Sequence, residues 1–84
     1  MKLDISNWGF IPPRSILGTI EDIAQSFFVS DEPLEEIILD SRQYRALRKI
    51  IGAKEDQVIS QVNTEHLGMV RVSLASDFTL APTQ

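Results

Sequence analysis

The chain contains no cysteine, which excludes a disulfide framework, a thiolate metal site and a cysteine nucleophile. Long apolar runs are also missing. Ile37-Ile38-Leu39 is among the longest, far short of the ~20 residues that span a bilayer. The start, Met1-Lys2-Leu3-Asp4-Ile5-Ser6-Asn7-Trp8, has no continuous apolar segment, so no signal peptide is expected. The four glycines stand isolated at positions 9, 18, 52 and 68, and no phosphate-cradling loop can be drawn from them. Between Ser15 and Ser41 there is no Lys or Arg.

What is present describes a small folded unit. Its 84 residues, 43% apolar and 24% charged, are ordinary for a globular domain. A chain of this size buries roughly 60–65% of its unfolded surface, enough for one core and too little for a large enclosed pocket. The division expected is an irregular N-terminal arm over residues 1–14 and a single α+β domain over residues 15–84.

Periodicity supplies the elements. Ile16, Leu17, Ile20, Ile23, Ala24, Phe27 and Phe28 form an apolar stripe at helical spacing, predicting a helix from Ser15 to Val29. Pro12 and Pro13 lie at or before its first turn, Phe27 and Phe28 are expected in the core, and Gly18 is a candidate for close backbone approach. After the turn Ser30-Asp31-Glu32-Pro33, Leu34 to Leu39 reads as a strand. Its lack of alternation suggests cover on both faces and a central place in the sheet. Asp40 with Gln43 has capping-box spacing, Ser41 being an alternative cap, and a second helix follows to Gly52, a natural terminator. Tyr44, Leu47, Ile50 and Ile51 should face inward, with Arg42, Arg45 and Lys49 on the other side. Gln57 to Val62 is strand or helix, Asn63 to His66 a connection, and Leu67 to Ala75 the clearest alternating strand, with Val70, Val72 and Leu74 on one face. Asp77 to Leu80 is a candidate last strand. The fold class expected is α+β, two helices on a small mixed sheet.

Chemistry-bearing groups are sparse. His66 has Glu65 beside it and serines elsewhere, but no Gly-x-Ser-x-Gly elbow accompanies them, so a surface or turn histidine is expected. The pairs Asp31-Glu32 and Glu35-Glu36 lack calcium-loop spacing. No catalytic residue, metal or cofactor is expected, and the chain is read as no enzyme.

Charge distribution says more than charge total. The net charge of −4 argues against a general nucleic-acid binder. Yet Glu21, Asp22, Asp31, Glu32, Glu35, Glu36 and Asp40 form one acidic block, followed at once by Arg42, Arg45, Arg48, Lys49 and Lys54. The basic face is either solvated, in contact with the acidic block of another copy, or bound to phosphates. Trp8 and Phe10 either tuck over the core edge or stand out as anchors for a neighbouring chain. The candidate interface residues are therefore Trp8, Phe10, Asp31, Glu32, Glu35, Glu36, Arg42, Arg45 and Lys49.

From Glu35 to Leu47, a strand runs into Asp40-Ser41-Arg42-Gln43-Tyr44-Arg45-Ala46-Leu47. This resembles the axial domain of tailed-phage major capsid proteins and of the related encapsulins. There a buried strand ends in a polar-Pro-Arg-x-Tyr-x-x-Leu turn into a helix, and Ser41 here stands in the proline's place. Gly68-Met69-Val70-Arg71-Val72-Ser73 is similar to that family's later Gly-initiated strand, and the resemblance spans about residues 15–75. It implies a stand-alone axial domain, similar to truncated encapsulin-like proteins, without the elements that build a shell. The expected function is a non-catalytic assembly protein, cytoplasmic or virion-associated, that forms a homo-oligomer or engages another protein as cargo or shell partner. The alternative is a small regulatory module binding a protein or nucleic acid through the basic helix face.

Overall fold

The computed structural model describes residues 1–54 and 57–75. Four strands and two α-helices occur among them: β1 (Lys2–Asp4), α1 (Pro13–Val29), β2 (Glu36–Leu39), α2 (Ser41–Ile51), β3 (Gln61–Thr64) and β4 (Gly68–Leu74). The strands form one mixed sheet in the order β1-β2-β4-β3. β1 pairs with β2 and β2 with β4 in parallel, while β3 and β4 are antiparallel. This is the α+β architecture of two helices and a mixed sheet that the periodicity called for.

The core lies between the helices and one face of the sheet. Ile16, Ile20, Ile23 and Ala24 of α1, Ala46 and Leu47 of α2, and Ile37, Leu39, Val62, Val70 and Val72 of the strands are all buried. Each full-sized aliphatic side chain placed there contributes roughly 1.5–3 kcal/mol. The opposite sheet face is mainly polar, with Ile38 and Met69 as its apolar members. In register, Lys2 lies beside Glu36, Glu36 beside Arg71, and Arg71 beside Gln61. β2 is interior, as expected, but it is not covered on both faces. Ile37 and Leu39 are fully buried while Glu36 and Ile38 are only half-buried, because both helices pack on the same side.

Both helices end in the same reversal. In α2, Gly52 takes φ 81°, and its N–H and that of Ala53 donate to the Lys49 and Arg48 carbonyls at 3.2 and 3.0 Å. In α1, Asp31 takes φ 57°, and its N–H and that of Glu32 donate to the Phe28 and Phe27 carbonyls at 3.1 and 2.9 Å. This is the Schellman pattern, and glycine is its usual left-handed residue. At the end of α1 an aspartate occupies that position.

Several expectations need correction. Residues 1–14 are not irregular throughout, since β1 joins the sheet edge and Ser6–Trp8 form a 3₁₀ turn. β3 begins at Gln61 and takes in Asn63 and Thr64, leaving 57–60 without regular structure. Phe28 is 55% exposed, and only Phe27 packs against the core. Ile50, Ile51 and Leu74 are exposed too. The inner side of α2 turns instead on Gln43, Ala46 and Leu47, all buried. Gly18 is exposed, and a Cβ added there meets nothing within 4 Å, so it serves no close approach. The expected strand at Asp77 to Leu80 lies outside the described residues.

Candidate interaction surface

The site is built from the junction of β2 and α2. Asp40 Oδ1 accepts from the Gln43 backbone N–H at 2.7 Å, and Gln43 Oε1 accepts from the Asp40 N–H at 2.9 Å. The capping box read from the spacing is therefore complete, and Ser41 is not the cap. The remaining atom of the Gln43 amide does further work. Its Nε2 donates to the carbonyl oxygens of Ile5 at 2.8 Å and Gly9 at 2.9 Å. Gln43 is wholly buried, so these bonds satisfy an amide that would otherwise cost ~1–3 kcal/mol.

That clamp fixes the N-terminal arm. Ser6 donates from both its backbone N–H (2.9 Å) and its hydroxyl (2.6 Å) to Asp4 Oδ1, holding the 3₁₀ turn and keeping the Asp4 carboxyl below its ordinary pKa. Ile5 and Ile11 take the buried positions on either side. With those two inside and the Ile5 and Gly9 carbonyls held by Gln43, Trp8 and Phe10 stand outward, 54% and 61% exposed. Neither ring is tucked into the core.

Phe10 comes to rest beside the basic face of α2. Together with Pro13, Arg42, Arg45, Ala46 and Lys49 it lines an open cleft of about 380 Å³. Exposed Arg42 lies 3.6 Å from half-buried Asp40, an ion pair worth ~0–1 kcal/mol. Among the described residues Arg45 and Lys49 have no ion-pair partner. Arg48 is different: its guanidinium donates to the carbonyls of Lys54 and Gln57 and braces the following loop. Tyr44 works in the same direction, its hydroxyl donating to the Ile59 carbonyl (3.1 Å) and accepting from the Ile59 N–H (2.9 Å).

The acidic block separates into two groups. Glu36 accepts from the Ser73 hydroxyl and lies 3.9 Å from Lys2 and 3.6 Å from Arg71. The Ser73 hydrogen bond, helped by those two cations, lowers its pKa. Glu35 lies 3.3 Å from the Met1 amino nitrogen. Asp31 and Glu32 are exposed and make no ion pair among the described residues. They line a second open cleft with Phe27, Phe28, Pro33 and Leu67, at the far end of α1. His66 packs on Phe28 there, ring centroids 5.3 Å apart.

Thus Phe10, Arg42, Arg45 and Lys49 are brought together, and Asp31 and Glu32 form a separate site. Trp8 is not among the residues lining either cleft, while Glu36 belongs to β2 and Glu35 immediately precedes it. Sequence reasoning missed Gln43 as the clamp and Phe28 as an exposed aromatic. The capping spacing pointed to Gln43, though not to its bonds 34 and 38 residues away. Among the described residues no helix is long and apolar enough to cross a membrane. No protein-family model, curated protein or solved structure matches the chain.

Proposed function

We propose that the chain is a non-catalytic assembly protein, in the manner of a stand-alone axial domain of the capsid and encapsulin kind, acting through the outer face of α2. The observation that carries this reading is the cleft where Phe10 meets Arg42, Arg45 and Lys49. It combines an exposed aromatic with cations, two of which have no carboxylate partner among the described residues. Aromatic and arginine anchors are what protein interfaces favour. The strand, capped helix and later Gly-initiated strand add the resemblance noted above. His66 supports the non-catalytic side, since it is exposed and its contact is the Phe28 ring rather than a carboxylate or hydroxyl.

Complementary charge makes such association sensitive to salt, because the Debye length falls from about 10 Å in 0.1 M salt to about 3 Å in 1 M. Sedimentation velocity over a concentration series is the test. The expected result is a species heavier than the 9.5 kDa chain in low salt, and less of it in high salt. A strict monomer in both would overturn the reading. Retardation of nucleic acid, lost in Arg45→Glu with a shallower salt dependence, would favour the regulatory-module alternative.

A further inference from the structure

Resting on that reading of self-association, we infer which surfaces meet: the Phe28–Glu32 reversal of one copy seats in the Phe10–Arg42–Arg45–Lys49 cleft of another. Within residues 31–40 the acids are selected by elimination. Glu35 and Glu36 already face cationic groups of their own chain, at 3.3 Å from the Met1 amino nitrogen and 3.6 Å from Arg71. Asp40 caps α2, which leaves Asp31 and Glu32 as the acids of the 31–40 block without an ion pair among the described residues.

The two surfaces are complementary in more than charge. Phe10, Pro13 and Ala46 give the basic cleft an apolar component. Phe28 and Val29 are 55% and 74% exposed immediately before the acidic reversal. The reversal is preformed as well as charged, since two backbone hydrogen bonds of 3.1 and 2.9 Å tie the Asp31 and Glu32 N–H groups to the last turn of α1. A preformed turn loses little freedom on docking.

Position in the fold keeps the two surfaces from meeting within one chain. Pro13, at the first turn of α1, lines the basic cleft, while Phe27 and Phe28, at its last turn, line the acidic one. The 17-residue helix between them is about 25 Å long. Contact of like with like would set cations against cations or acids against acids, whereas the reversal of a second copy offers the cleft opposite charge. Asp31 fits this role for a further reason. It occupies a left-handed backbone position, φ 57°, where glycine is the residue most at ease.

The test is cross-complementation by sedimentation velocity, with the parent chain run alongside. One variant carries Arg45→Glu and Lys49→Glu, the other Asp31→Lys and Glu32→Lys. All four positions are exposed, and circular dichroism checks that both variants fold. Each variant alone is expected to self-associate about a hundredfold or more weakly than the parent, because like charges then face each other. Their equimolar mixture is expected to recover association, since the acidic cleft of one now fits the basic reversal of the other. If the parent assembles and either variant assembles equally well alone, this pairing is wrong although the assembly reading stands. The pairing is equally overturned if both variants lose assembly and the mixture fails to recover it. A monomeric parent overturns the assembly reading itself.

Discussion

The two sides of α2 treat their polar groups in opposite ways. On the inner side, the Gln43 amide uses both its oxygen and its nitrogen within the chain, and Tyr44 holds the Ile59 backbone through donor and acceptor alike. On the outer side, Arg45 and Lys49 find no carboxylate among the described residues, and Arg42 has one ion pair. The acids repeat the contrast, with Glu36 engaged on the sheet and Asp31 and Glu32 open at the end of α1. The difference teaches that a polar group fully engaged inside the chain stabilises the fold. Charges left without ion pairs among the described residues, around an exposed aromatic, stabilise the fold little and are the ground on which we propose a contact with another chain.

The largest effect should come from breaking the inner side. Gln43→Met keeps the volume but removes the capping acceptor and the donor to the Ile5 and Gly9 carbonyls. A stability loss of about 2–4 kcal/mol is expected, read in urea unfolding. The melting temperature should fall by about 10 °C or more. Because the clamp also places Phe10, association should weaken at temperatures where the variant is still folded. A loss under about 0.5 kcal/mol would show that Gln43 is no keystone.

Smaller effects sharpen the contrast among the acids. Asp31→Gly relieves a left-handed aspartate and is expected to raise stability by about 0.5 kcal/mol while weakening association. Thermal melting and sedimentation together check this, and a destabilised variant would contradict it. Glu36 should give the mildest signature, visible only against pH. Its folded-state pKa is depressed, chiefly by the Ser73 hydroxyl. The stability it supplies is therefore present above the ordinary glutamate value and lost as pH falls through the folded value. Glu36→Gln is expected to lower stability at neutral pH, with the gap from the parent closing in acid. Unfolding curves across pH read this directly, and a gap that widens in acid would reverse the assignment.

What was legible in the sequence was local. The Asp40–Gln43 box is an i, i+3 signal, Gly52 marks its helix end by itself, and the β4 alternation needs only one strand's residues. The parts not legible depend on distant partners. β1 is three residues long and exists because β2 offers it a parallel edge more than thirty positions on. Trp8 and Phe10 point outward because Ile5 and Ile11 take the interior, and no window around the aromatics ranks those four. The run Ile37-Ile38-Leu39 suggested two covered faces, but the covering of a sheet is decided by where both helices land. The cleft was half legible: its cations came from helical spacing, whereas Phe10 reaches them only through the clamp.

The central claim is that the outer side of α2 serves contact and not the fold, and Arg45→Glu tests it most directly when melting and sedimentation are measured on the same sample. The exposed position predicts a change in stability within about 0.5 kcal/mol of the parent, together with a clear loss of the heavier species in low salt. A variant that still assembles like the parent, or one that loses association only because it unfolds, would contradict the claim.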